Sequence, residues 1–162
     1  MFFDPTLPTS YEYIHYTGEN FTALDLNRTY NQYTEKLAFN TPNGLWVSVA
    51  GIHDWEQYCR ENNNRLEALQ YEFQVLLKPQ AKILILHNNS AFEGFIKEFG
   101  HYKEKYFDLS IRWDEIINNY QGIVLPHVFP QLMNMFHWHK TWCCSSACIW
   151  DLQAVEKIIR LG

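Results

Sequence analysis

An α+β fold is what this sequence predicts, and three observations predict it. Short β-rich runs alternate with apolar stripes at helical spacing, without the regular strand–helix–strand rhythm of a parallel sheet. The 162 residues contain no internal repeat, low-complexity tract or Gly/Ser-rich linker, so residues 1–162 are read as a single domain. A chain of that length buries most of its apolar surface without staples, and 6 Trp, 10 Tyr and 11 Phe supply large rings for the core, with some available to line a pocket for a flat ligand.

The elements follow in order. Met1–Ser10, with two prolines, reads as an extended lead-in. Tyr11–Tyr16 is rich in β-formers and predicts a short strand. Asn20–Phe39 is polar with scattered rings and is expected to hold a helix and a loop, neither of them placed. Thr41-Pro42-Asn43-Gly44 predicts a turn into a strand over Leu45–Ala50. Asp54 predicts the cap of a helix over Trp55–Asn62, with Gln57 as its capping-box partner.

Phe73–Leu77 and Ile83–Leu86 predict paired strands joined across Lys78-Pro79-Gln80. Ser90 with Glu93 is a second capping box, ahead of Phe92, Phe95, Ile96 and Phe99 at helical spacing. Trp113, Ile116, Ile117 and Tyr120 form another stripe, ended by Gly122, and Ile123–Leu125 predicts a buried strand. Cys148–Trp150 is a last strand candidate, and Asp151 predicts the cap of a closing helix carrying Leu152, Val155, Ile158 and Ile159.

Charge and composition exclude some functions. A net charge of −5 argues against a sequence-blind grip on nucleic acid phosphates, which needs clustered Lys and Arg. No run reaches the about 18 apolar residues of a membrane span, and the start lacks a basic stretch before an apolar one, so neither membrane association nor secretion is expected. The four cysteines, Cys59, Cys143, Cys144 and Cys148, make a poor disulfide framework because two are adjacent and three are crowded. They predict reduced thiols in a cytoplasmic protein.

Two segments carry recognisable chemistry. In Tyr13-Ile14-His15-Tyr16-Thr17-Gly18, a strand-end His beside a hydroxyl can hold a ribose or a carboxamide, although a satisfied half-buried His is the commoner case. In Gly44-Leu45-Trp46-Val47-Ser48, Trp46 and Ser48 are two apart and share a strand face. The helix that follows puts Trp55 and Tyr58, three apart, on one face, so the segments could sandwich a flat ring; plain strand–helix packing is the competing explanation.

Taken together these segments resemble the H-Y-E branch of the ADP-ribosyltransferase superfamily, which includes diphtheria toxin and the poly-ADP-ribose polymerases. His15-Tyr16-Thr17 is similar to the family's His-Gly-Ser/Thr, with Tyr16 in place of Gly. Gly44-Leu45-Trp46-Val47 is similar to its Gly-Ile-Tyr-Phe strand, and Gln57-Tyr58-Cys59 to its Asn-Tyr-Cys helix, in the same order. The resemblance covers about the first third of the chain well.

It implies two small, mostly antiparallel sheets around an NAD⁺-binding cleft with flanking helices. NAD⁺ would be the substrate, held by His15, Tyr16, Thr17, Trp46, Ser48, Trp55 and Tyr58, with His15 on the adenosine ribose and the nicotinamide amide and Tyr58 stacked on nicotinamide. The family's late Glu is matched best by Gln121, which could orient the ribose but cannot supply a full charge; Asp114, Glu115 and Asp151 are the nearest acids in sequence. The implied activity is mono-ADP-ribosyl transfer to a protein or nucleic acid, as in toxins and defence effectors. The implied partners are that target and an antitoxin or regulatory protein.

Two other classes stand beside this one. Gln121 favours a non-catalytic module that keeps the cleft for recognition. The run His137-Trp138-His139-Lys140-Thr141-Trp142-Cys143-Cys144, with Cys148 beyond, holds zinc-ligand types without a C-x2-C or H-x3-H pair. It also holds thiols that His127, His137 or His139 could activate. A packed end to the core is the plainer reading of this run, and no metal is expected.

Overall fold

The computed structural model describes residues 11–20, 24–32, 41–51, 53–103, 108–127 and 142–162. The strands are β1 (Tyr13–Thr17), β2 (Leu45–Val49), β3 (Tyr71–Leu77), β4 (Ile83–Ile85), β5 (Gly100–Lys103), β6 (Asp108–Ile111), β7 (Gly122–Leu125), β8 (Ser146–Ile149) and β9 (Val155–Arg160). The helices are α1 (Trp55–Glu61), α2 (Asn89–Phe99) and the short α3 (Trp113–Ile116). The fold is mixed α+β, with a seven-stranded sheet in the order β4-β7-β8-β2-β1-β3-β9 and a separate β5-β6 ribbon. Among the described strands only β4 and β7 pair in parallel. The strands expected as two small sheets are therefore hydrogen-bonded into one.

The β4-β7-β8 end of the sheet is buried on both faces, and the residues explain why. Ile83–Ile85, Gly122–Leu125 and Ser146–Ile149 are buried throughout. Alternate residues serve opposite cores, because successive strand side chains point to opposite faces. Leu84, Ile123, Leu125 and Cys148 meet Phe92, Phe95, Ile96 and Phe99 of α2 and Trp113 and Ile116 of α3. Ile83, Ile85, Val124, Ala147 and Ile149 meet Tyr13, Val47, Val75 and Leu77 on the other face. The stripe expected from Phe92 to Phe99 is thus the helix face on the first core.

Several expectations fail on particular residues. β3 and β4 are not partners: β3 lies between β1 and β9, and β4 lies beside β7. An all-apolar strand is satisfied only where both its faces are covered, which β4 achieves beside β7. Val75 and Leu77 still share a core with Ile83 and Ile85, so the sheet curls back towards itself. The closing helix is instead a 3-10 turn over Leu152–Ala154 and the edge strand β9. Its helical spacing was genuine, but Val155, Ile158 and Ile159 are β-branched and pair with β3.

Asp151 still caps, its carboxylate accepting from the Gln153 N–H. The cap of α2 is Asn88, not Ser90, because its side chain reaches the Ala91 N–H at 2.8 Å. At α1 the Asp54 carboxylate accepts from the Gln57 N–H as expected, while the Gln57 side chain returns to His53 and not to Asp54. Met1–Ser10 lies outside the described residues, as does much of Asn20–Phe39. The described part of the latter, Asn20 and residues 24–32, has no helix and touches the chain after β8 through a bridge from Thr29 to Asp151.

Candidate functional site

The site begins where two central strands part. β1 and β2 pair at only Tyr13–Val49 and Ile14–Ser48, whereas β1 and β3 pair along all of β1. Beyond Ile14 the backbone ladder stops and the His15 ring takes its place, with Nδ1 at 2.8 Å from the Trp46 carbonyl oxygen. A carbonyl only accepts, so Nδ1 carries the proton and Nε2 is an acceptor. Burial holds the imidazole below its usual pKa, partly opposed by this hydrogen bond, and so favours that neutral form.

Into this split opens a cavity of about 440 Å³, within the range of small-molecule sites. His15, Tyr16, Trp46, Ser48 and Trp55 all line it. Trp46 is wedged by Trp142, edge to face at 4.8 Å between centroids. Trp55 stacks on Tyr58 at 5.6 Å and 21°, so these two share a face as their spacing requires. The Ser48 hydroxyl accepts the Trp55 N–H at 2.9 Å, tying the start of α1 to β2. Tyr16 donates to Glu56 at 3.5 Å, and burial followed by nearby carboxylates raises its pKa.

Trp142, Cys143, Cys144 and Ser146 also line the cavity, as does Arg65, which sits in the turn after α1 in the left-handed conformation, φ 51°. Arg65 is the sole charged residue type among the described lining residues, which include no Asp, Glu or Lys. Cys143 is half-buried there, while Cys59, Cys144 and Cys148 are buried. Hydrogen bonds from the Cys144 thiol and the Tyr58 hydroxyl, with Arg65 nearby, outweigh burial and bring the Cys143 thiol down to about 7. Burial pushes Cys148 and Cys59 up.

No protein family, curated protein or solved structure matches this chain.

Geometry is therefore the guide to the remaining candidates. Thr17 is not among the lining residues; its hydroxyl accepts from the Glu19 N–H at 3.1 Å. Gln121 does not line the cavity either. Its Oε1 accepts from the Lys82 N–H and its Nε2 donates to Asp151, each at 3.0 Å, which joins the start of β7 to the chain before β4 and after β8. Both halves of the amide are thus engaged in the fold. Of the alternative acids, Asp151 is in that same tie and Glu115 pairs with Arg112; neither they nor Asp114 line the cavity.

Among the described residues no group of three His, Cys, Asp or Glu is placed to hold a metal ion. His137 and His139 lie outside the described residues, and His127 does not line the cavity. Several lining residues lie outside the set expected to hold NAD⁺; among them Arg65 was not singled out in the sequence at all, while Trp142 and Cys143 belonged only to the alternative thiol and zinc run. The run Asn62-Asn63-Asn64 before Arg65 was a usable signal, since Asn tolerates left-handed backbone and Asn63 indeed has φ 47°. Nothing local marks Cys143 apart from Cys144.

Proposed function

We propose that the cavity binds NAD⁺ and that the chain is a mono-ADP-ribosyltransferase of the H-Y-E kind. One observation carries this reading. Residues from three separate segments, His15, Trp46 and Trp55, were singled out in the sequence for NAD⁺ binding, and they converge on one cavity with Tyr58 stacked behind. The short β1–β2 ladder supports it, because residues at its end, His15 and Trp46, line that cavity.

In this reading His15 Nε2 accepts from a ribose hydroxyl or the nicotinamide amide. The Trp55 and Trp46 rings face the nicotinamide, whose positive charge they attract. Arg65 takes the diphosphate, for which a guanidinium is well shaped. The C1′–nicotinamide bond opens with positive charge growing on the ribose, and an acceptor on a protein or nucleic acid captures it. Most of the rate comes from positioning. The target, and any antitoxin or regulator, would meet the open side of the cleft.

A non-catalytic NAD⁺-binding module is the second reading. It is favoured by the lack of a carboxylate among the described lining residues and by the engagement of Gln121 elsewhere. One experiment covers both readings: thermal unfolding with NAD⁺, alongside release of nicotinamide. Ligand at 100 times its Kd adds about 2.7 kcal/mol to unfolding. No shift with millimolar NAD⁺ or a nicotinamide analogue defeats both readings, and a shift without nicotinamide release leaves the module.

A further inference from the structure

The cavity holds a nucleophile that the sequence resemblance does not supply. We propose that Cys143 is the residue that takes the ADP-ribosyl group, its sulfur attacking C1′ of the nicotinamide ribose in NAD⁺ bound in this cavity. The inference rests on the NAD⁺ reading and gives that site its reactive group.

Position comes first. Cys143 lines the cavity together with His15, Trp46, Trp55 and Arg65, and it is half-buried where the other three thiols are buried. The charged or titratable groups bearing on the sulfur are Cys144, Tyr58 and Cys59 of α1, and Arg65 of the following turn. Cys144, Tyr58 and, less strongly, the cationic Arg65 each favour its thiolate. Tyr58 in turn stacks on Trp55, which lines the cavity.

The alternative, a cysteine that only packs, fits its neighbours. Cys148 is fully buried and gives its thiol to the Pro42 carbonyl, and Cys144 stays a protonated thiol, its pKa raised by the neighbouring Cys143 and by burial. Cys143 differs from both. With no Asp or Glu among the described lining residues, its thiolate is the anion that can meet positive charge growing on the ribose. A thiolate with a pKa near ambient pH combines a substantial ionised fraction with retained nucleophilicity.

The step balances without any further reactant. The sulfur lone pair forms the S–C1′ bond as the C1′–N1 bond breaks, and that electron pair neutralises the pyridinium ring. Nicotinamide leaves neutral, and the negative thiolate becomes a neutral thioglycoside. No proton need move.

The test incubates the intact protein with the 2′-fluoro-arabino analogue of NAD⁺, whose electron-poor ribose slows loss of a ribosyl group from an enzyme, and maps the adduct by mass spectrometry. One ribosyl adduct on Cys143 and one equivalent of nicotinamide are expected. With NAD⁺ itself, Cys143→Ser and Cys143→Ala should release nicotinamide at least about 100-fold more slowly, while keeping the thermal shift that NAD⁺ induces. If wild type binds NAD⁺ but Cys143 stays unmodified, or if both variants release nicotinamide at the wild-type rate, the inference is overturned and the NAD⁺ reading survives. If NAD⁺ neither stabilises the protein nor slows alkylation of Cys143 by iodoacetamide, the NAD⁺ reading fails and takes the inference with it.

Discussion

The His15 imidazole donates to the Trp46 carbonyl oxygen at 2.8 Å, at the point where β1 and β2 stop pairing. One side chain thus does two things: it closes the ladder between central strands and it turns its acceptor nitrogen, Nε2, away from that bond. His15→Ala should lower NAD⁺ affinity by about 1–3 kcal/mol, or roughly 5- to 150-fold. Calorimetric titration measures this. A variant that unfolds while its residual folded fraction binds normally would make His15 purely structural.

The same histidine sets a pH dependence. Its pKa in the folded protein lies below the unfolded value of 6.5, because burial disfavours the charged ring. Above pH 6.5 both states are neutral and His15 contributes no slope. Below it the unfolded chain binds the proton first, so this group's contribution to stability falls as pH drops towards the folded pKa. Thermal melts of wild type and His15→Gln between pH 5 and pH 8 should diverge only on the acid side.

Arg65 tests the anion subsite. A non-glycine residue at φ 51° carries a backbone cost, which a glycine there relieves. Arg65→Gly should therefore keep its stability or gain up to about 1 kcal/mol, while binding NAD⁺ about 10-fold more weakly. Nicotinamide affinity should not change. Equal losses for NAD⁺ and nicotinamide would place Arg65 away from the diphosphate.

Gln121 should behave as part of the scaffold. Gln121→Ala leaves the Lys82 N–H and the Asp151 carboxylate without this partner, which should cost about 1–3 kcal/mol of stability in denaturant melts. Gln121→Glu sets a second carboxylate against Asp151 and should also destabilise. Neither should change NAD⁺ affinity. A faster NAD⁺ hydrolysis in Gln121→Glu would instead restore the ribose-orienting role implied by resemblance.

Tyr58→Phe keeps the ring beside Trp55 and removes one donor to Cys143. The Cys143 thiol, brought down to about 7 in wild type, should then titrate higher. Iodoacetamide labelling followed against pH reads this directly, and an unchanged midpoint would show that the hydroxyl does not reach the sulfur.

By itself, the sequence determined what rests on neighbours in the chain. Asp54 and Asp151 cap where predicted, the Phe92–Phe99 stripe faces a core, and Trp55 and Tyr58 share a helix face. Gly44 was marked as leading a strand, and the reason is now spatial: a Cβ there would sit 2.5 Å from the Ile149 carbonyl oxygen. Tertiary structure decided the rest. Spacing could not show that the last apolar stripe would be strand β9, because its pairing with β3 is a contact between distant segments. Nor could it show that Gln121 bonds to Lys82 and Asp151 away from the cavity, or that Cys143 and Arg65 line it together. Caps and stripes are set by bonds and faces within a few residues, whereas strand partners and the surroundings of a thiol arise only once remote segments pack together.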